Sequence, residues 1–576
     1  MKLRLVLPAI APLLFAAACA TTSPPEAGLK PAQDVTFGAG EQPSSYGLFL
    51  AGQAAMNDGH SQDASSYYQR AGATDLDSSE FNDLAFQAAI VAGDVPTASR
   101  LAPTGQDSSL LLQRLGALVK VVDALGADRG KEAADLLSSG AVSIPHREAA
   151  ALLSPWAAAA AGDSLGAVAL PDLPGDRLVE VFGQLGQAAL YERYKRYDEA
   201  ETDYKALTGL GEAGILFVPD YGGFLERRRR WAEAITLYDQ ALAKLPRDQM
   251  LLEARARAAT RKGAPPLPTV RQGAARALLA ATSAQMSERQ YLTALAYLRM
   301  VLYLDPKRAE AQLMLGDTLA TMKNIPAARA AYEAIPPGAP QYASARGKLA
   351  WTYQLEKDSE TALRISKEGY DAAPTNDETA LTYADLLRAN DRYAESVTIM
   401  DQVIARANGK PDWRLLYMRG VSLERSGRWP EAETDLNAAL AQEPNEPELL
   451  NYLGYSWIDR GERLTEAMDM VKRAVAANPR SGAMIDSLGW AYYRLGDYRN
   501  AVEKLEEAVL LEPADPEINN HLGDAYWRVG RKVEAEFQWN RALSLDPPDT
   551  IRKEAESKLK SGLPPAPPAK IASGTP

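Results

Sequence analysis

The chain has 576 residues, with 63 Lys and Arg against 75 Asp and Glu, a net charge of −12 and a pI near 5.1. That acidic balance argues against nucleic acid as a partner, because gripping a phosphate backbone needs clustered cations. An apolar fraction of 46% supports a packed core, a mean hydropathy of −0.27 argues against a polytopic membrane protein, and a single cysteine, Cys19, excludes an intramolecular disulfide.

Lys2 and Arg4 precede an apolar stretch from Leu5 to Ala18, so residues 1–18 have the charged and apolar regions of an export signal. The stretch ends Phe15-Ala16-Ala17-Ala18-Cys19. Small residues before a cysteine at this distance resemble the bacterial lipobox, with Ala16 where leucine is usual. The resemblance implies cleavage before Cys19 and acylation of that residue, and several acyl chains anchor more firmly than one. Ala20, rather than aspartate, follows the cysteine; by the same resemblance the destination is the periplasmic face of the outer membrane. An ordinary secretory signal with an incidental cysteine is the alternative. Residues 19–44 hold the lipidated position and a Pro-, Gly-, Ser- and Thr-rich run without period, read as a disordered tether of roughly 25–30 Å reach.

Beyond residue 44 one pattern recurs. A small residue follows a turn at Ala64, Ala98, Ala200, Ala234, Ala294, Ala328, Ala362, Ser396, Ala432, Ala467, Ala501 and Ala535. Ala64 to Ala98 is 34 residues, Ala98 to Ala200 is three times 34, and 34 recurs from Ala294 through Ser396 and from Ala467 through Ala535. Gly420, Gly454, Gly489 and Gly523 precede their alanines by 12 or 13, and Pro444, Pro479, Pro513 and Pro547 keep the same clock. These residues, most clearly GAMIDSLGWAYYRLGDYRNAVEKLEEAVLLEPAD at 482–515, resemble the tetratricopeptide repeat family. The spacing predicts two helices joined near Gly496-Asp497. Gly489 and Ala501 are small enough for close backbone approach, Tyr492, Leu505 and Ala508 fill the seam, and Pro513 stops the second helix. The fold class expected is all-α, a right-handed superhelical solenoid of stacked helix-turn-helix units.

Extrapolated units start near 45, 79, 113, 147, 181 and 215, then near 275, 309, 343, 377, 413, 447, 482 and 516. Those near 113 and 147 match poorly. The phase breaks at the Pro- and Gly-rich segment 263–274, read as an irregularity or hinge between an N-terminal arm, 45–262, and a C-terminal arm, 275–549. Residues 550–561, with Ile551, Ala555 and Leu559 on one face, fit a capping helix, and 562–576 form a Pro-rich tail expected to be disordered.

The chain has no HExxH, paired CxxC or Walker A motif. His60, His146 and His521 lie far apart, and His521, beside Leu522-Gly523, reads as a core or groove-lining residue. The chain therefore reads as non-enzymatic, with no cofactor and no metal; a catalytic site within 79–175 is the minor alternative. Arg227, Arg228, Arg229 and Arg230 form one sharp charge run, a candidate docking patch for an acidic partner or anionic headgroups, or else a solvated turn. The family resemblance places first-helix positions 2, 5, 9, 12 and 13 in a binding groove. Here those positions hold Trp351, Tyr417, Asn451, Tyr455, Asp486, Trp490, Tyr493, Asn520, Asp524, Trp527 and Arg528. Rings beside amides and carboxylates suit an extended or helical peptide, although rings can also pack between repeats. The Lys/Asn/Arg carboxylate clamp of chaperone-binding family members is not matched.

The whole layout, with MIDSLGWAYYRLGDYRNAVEKLEEAV (484–509) and EINNHLGDAYWRVGRKVEAEFQWNRAL (517–543), resembles LbcA-type outer-membrane adaptor lipoproteins. That resemblance implies a scaffold binding and activating a periplasmic carboxyl-terminal processing serine protease, whose substrates would be cell-wall hydrolases. A scaffold for envelope assembly, in polysaccharide export or in pilus or secretin assembly, is the alternative.

Overall fold

The computed structural model describes residues 44–565 except 75–77, 106, 107, 172, 262 and 408. The leader, Cys19, most of the tether and residues 566–576 lie outside the described residues. Among the described residues every regular element is helical, and none of the helices is long and apolar enough to cross a membrane.

The helices come in pairs at the expected spacing, which makes the fold an all-α solenoid. The pair 482–511 shows why. Ser481 caps the first helix, Gly482–Arg494, by accepting from the Met484 amide at 3.3 Å. Gly496 takes the left-handed turn position at φ +83°, where a side chain would be strained. Asp497 then caps the second helix, Tyr498–Leu511, accepting from the Asn500 amide at 3.3 Å. The helix stops two residues before Pro513. Every small residue of the repeating series, from Ala64 to Ala535 and including Ser396, is fully buried.

The glycine of the first helix sits where the second helix presses closest. A Cβ on Gly489 would fall 2.7 Å from Leu505 Cγ and 3.2 Å from the Leu505 backbone nitrogen. We expect Gly489→Val to cost about 2–3 kcal/mol by forcing this buried seam apart. Urea unfolding of the full chain followed by circular dichroism measures it, and a variant as stable as the parent would contradict the packing described.

The units near 113 and 147 are also helix pairs. Their second helices are short: Gly130–Ser138 has 9 residues and Ser164–Ala167 has 4. Val95–Leu101, in the unit near 79, has 7. Few positions remain to carry the period, which explains the weak pattern over 79–175.

The chain divides into two compact units after Leu386, inside the helix Asp377–Ala389. This corrects the expected division at 263–274, a segment that lies within the first unit. The helix that follows it, Val270–Ser287, buries Ala274, Ala275, Leu278, Leu279, Ala280 and Ala281, and a helix apolar nearly all round must be enclosed. It packs on Arg147–Ala161 and Arg177–Arg193, while Tyr291–Leu304 meets Ser78–Ala92 and Leu110–Gly126. Trp156 lies against Gly273 and Tyr303 against Gly126, and the Tyr303 hydroxyl donates to Asp123 at 3.1 Å. The segment itself is tied down: Arg227 donates to the Pro265 carbonyl at 3.0 Å and Arg193 to that of Pro268 at 2.5 Å. The first unit is thus an array folded back on itself, held by a core cluster drawn from Phe86 through Leu386, with separate clusters between Leu185 and Ala258 and between Ala55 and Ala88.

The second unit runs from Leu387. Its pairs Trp413–Arg425 with Trp429–Gln442, Pro447–Arg460 with Leu464–Ala477, Gly482–Arg494 with Tyr498–Leu511, and Pro516–Arg528 with Lys532–Ser544 follow in sequence. Asp549–Ser561 closes the series by packing on both helices of the last pair.

Candidate partner-binding surface

Successive first helices of the second unit touch one another, from Pro447–Arg460 through Gly482–Arg494 and Pro516–Arg528 to Asp549–Ser561. Residues three and four apart share a helix face, so Asp486, Trp490 and Tyr493 line up on one helix and Asn520, Asp524, Trp527 and Arg528 on the next. Asp486 then meets His521, Tyr493 meets Arg528 and Asp524 meets Lys558, at intervals of 34 or 35 residues.

A stack of three rings forms the centre. Trp490 lies on Tyr493 with centroids 4.6 Å apart and planes 6° from parallel, and on His521 at 4.0 Å and 14°. Beneath the stack the His521 ring Nδ1 sits 3.0 Å from both oxygens of Asp486, and both side chains are buried. Burial works against a charge on His521. Asp486, as charge and as hydrogen-bond acceptor, outweighs it, and with the fields of Glu517 and Asp524 pushes the pKa up to about 9. An imidazolium under the Trp490 face also gains cation–π attraction. The Arg528 guanidinium closes the other side, donating from Nε to the Tyr493 hydroxyl at 3.1 Å.

The distal end is built differently. Lys558 of the capping helix donates to Asn520 Oδ1 at 3.0 Å and to Asp524 Oδ2 at 2.9 Å. Asp524 accepts a further bond at 2.9 Å from Nε1 of Trp539, which is fully buried on the second helix. Asn520 donates to Glu554 at 3.3 Å. Asn520 and Asp524 are therefore groove positions already satisfied by the chain's own last helix.

The remaining predicted residues divide. The Tyr455 hydroxyl donates to Glu517 at 2.8 Å, which joins the helix Pro447–Arg460 to the same surface, and burial together with that carboxylate pushes the phenol's pKa up. Asn451 lies one turn earlier, its Oδ1 buried; among the described residues neither this atom nor Trp490 Nε1 has a hydrogen-bond partner. Tyr417 packs edge-on against Tyr452 at 5.7 Å, an inter-repeat contact. Trp351 belongs to the first unit, on Tyr342–Leu355, against that unit's core. In the arginine run, Arg227 is bound to both oxygens of Glu192 at 2.7 Å, Arg230 pairs with Glu201 and Glu233, and Arg228 lies 3.8 Å over the Tyr197 ring. Arg229 fills a left-handed turn at φ +61°. Most of the run thus serves internal contacts of the first unit, a correction to its reading as an open docking patch.

Lys558 and Glu517 were missed at the sequence level. A signal for Lys558 existed: it stands 34 residues after Asp524, so the period continues into the capping helix.

Family models of the tetratricopeptide repeat match residues 222–250, 285–351, 381–439, 417–481 and 487–550. The chain therefore carries tetratricopeptide repeats, including those that build the surface just described. It is 30% identical over 142 residues to the TPR repeat-containing protein PA4667 of Pseudomonas aeruginosa, a match covering 25% of this chain and 24% of that protein. Among solved structures it is similar to the APC/C hetero-tetramer Cut9–Hcn1, with 16% identity over 90% of this chain and 96% of that one and a TM-score of 0.38. It is also similar to TTC0263, a thermophilic TPR protein of Thermus thermophilus, with 25% identity over 32% of this chain and 100% of that one and a TM-score of 0.29.

Proposed function

We propose that the protein is a non-catalytic envelope scaffold, held by lipid on Cys19 at the periplasmic face of the outer membrane, which binds a carboxyl-terminal processing protease and brings cell-wall hydrolases to it. Tetratricopeptide repeats suit protein–protein scaffolding. The observation that carries the reading is the row of rings and polar groups from Tyr455 through Trp490 and Tyr493 to Arg528 on consecutive first helices. Such a row offers rigid apolar area at low entropic cost and fixed polar groups for a peptide backbone. Binding alone suffices for the mechanism. Holding protease and substrate on one chain raises their effective concentration, and preferential binding of an active protease conformation shifts its population.

The test is a pull-down from periplasmic extract with the soluble chain 20–576, in parallel with the Tyr455→Ala/Trp490→Ala variant. The expected result is recovery of a carboxyl-terminal processing protease by the parent and not by the variant, with faster hydrolase cleavage when purified parent is added to the protease. Recovery of export or assembly components without any protease would overturn the reading and favour the assembly scaffold.

A further inference from the structure

The first unit carries a cavity of about 160 Å³, and no residue of the partner-binding row lines it. Its walls come from parts of the chain that only the fold-back brings together. Trp156 stands on Arg147–Ala161, Phe182 on Arg177–Arg193, Tyr204 on Tyr197–Thr208 and Arg276 on Val270–Ser287. Pro265 and Pro268 of the Pro-rich segment supply a further wall. Packing presets the rings. A Cβ on Gly273 would fall 2.1 Å from the Trp156 ring, and one on Gly186 would fall 3.3 Å from its Nε1. Phe182 meets Phe217 edge-on at 6.0 Å, and Tyr204 lies 5.4 Å from Phe224.

The polar groups of the cavity are of two kinds. Tyr204 and Trp156 are only 2% and 4% exposed. Among the described residues nothing hydrogen-bonds to the Tyr204 hydroxyl or to the Trp156 indole N–H. Buried donors are normally satisfied, so two unused ones in a cavity wall mark a place for an acceptor. Burial, with the carboxylates of Glu192 and Asp220, pushes the Tyr204 pKa up, so the hydroxyl keeps its proton and stays a donor. The charges, by contrast, are already matched. Arg276 is bound to both oxygens of Asp220, and Arg227 to both oxygens of Glu192. A charged ligand would bring an uncompensated charge into a place of low dielectric.

We infer that the first unit holds a site for a small neutral ring compound with an acceptor oxygen, such as an aromatic or cyclic amide, its ring against Trp156 and Phe182 and its carbonyl accepting from Tyr204. Size fixes the class. A cavity of about 150 Å³ takes one benzene ring, whereas drug-sized ligands need roughly 300–1,000 Å³. Bound there, the ring touches Arg177–Arg193, the Pro-rich segment and Val270–Ser287 at once, and so fastens the fold-back. The inference concerns the first unit alone and holds whatever partner the second unit serves.

Benzamide is the probe, titrated into the full chain and followed by saturation-transfer NMR. The expected dissociation constant is on the order of 1 mM. Toluene, a ring without an acceptor, and benzoate, which adds a charge, should each bind about fivefold more weakly. Tyr204→Phe removes only a hydroxyl without a partner. It should leave the urea midpoint of the free chain unchanged, weaken benzamide about fivefold and leave toluene unaffected. Ala189→Leu, which fills the cavity from Arg177–Arg193, should abolish binding of both. Benzamide should also slow hydrogen exchange in 263–277 of the parent. No benzamide binding up to about 10 mM would overturn the inference. Equal binding by the parent, Tyr204→Phe and Ala189→Leu would place the probe elsewhere and overturn it too. Benzoate bound more tightly than benzamide would assign the cavity to an anion, against the neutral ligand inferred.

Discussion

Trp539→Ala is expected to unfold the last repeat together with the capping helix, at a cost of about 4–5 kcal/mol. Trp539 is fully buried, tilted against Trp527 with centroids 5.4 Å apart, and its ring faces Gly523, where a Cβ would fall 2.5 Å from the indole. Losing such a side chain costs roughly 3–5 kcal/mol in transfer and cavity terms. The buried Asp524 would also lose one of its donors, leaving Lys558 to hold it. Trp539→Phe keeps most of the ring and removes only the N–H, so its cost should be about 1–3 kcal/mol. Hydrogen exchange over 516–561 in the full chain reads both variants. An alanine variant with unchanged protection there would contradict the packing.

The second large effect concerns the buried pair under the ring stack. Asp486→Ala strands His521 with no carboxylate in contact, and breaking a buried pair costs about 3–5 kcal/mol. The double replacement Asp486→Leu/His521→Phe removes both polar groups and should recover most of that loss. The sign of the pH dependence follows from the raised histidine. Its folded pKa of about 9 lies above the ordinary 6.5, so the histidine's contribution is full below pH 6.5 and is lost as pH rises through 9. Urea unfolding at pH 6, 7.5 and 9 should show the stability gap between parent and His521→Phe shrinking at the alkaline end. A gap that stays constant, or widens, would contradict the assignment.

Much of the fold was legible because a repeat writes its packing locally. The small residue after each turn and the glycine one helix earlier face each other within one pair, so their spacing in the chain is the spacing of the contact itself. Gly523 with Ala535 and Gly454 with Ala467 illustrate it, and in the weak units the second helices are short. The fold-back of the first unit was not legible. Tyr303 against Gly126 and Trp156 against Gly273 join repeats far apart in the chain, and a period carries no information about which repeats meet. The boundary was misplaced for the same reason: proline and glycine at 263–274 signal irregular backbone, and Arg193 and Arg227 turn that irregularity into an internal strap.

The candidate surface was legible by position and not by state. Helical offsets placed Asp486, Trp490, Tyr493, Asn520, Asp524, Trp527 and Arg528 on one row, as the structure has them. They could not show that Asn520 and Asp524 are met by Lys558, or that Trp527 and Arg528 are met by Gly562 and Pro564. Charge runs are similarly ambiguous: Arg227 and Arg230 look like surface when read along the chain, yet their partners Glu192 and Glu201 lie on neighbouring helices.

The most direct test of binding through this row is hydrogen exchange of the full chain with and without the protease recovered in the pull-down. The expected result is new protection in 447–460, 482–494 and 516–528, with the second helices 464–477 and 498–511 unchanged. Protection confined to the second helices, or to residues before 387, would contradict the claim that the ring-lined row is the partner-binding surface.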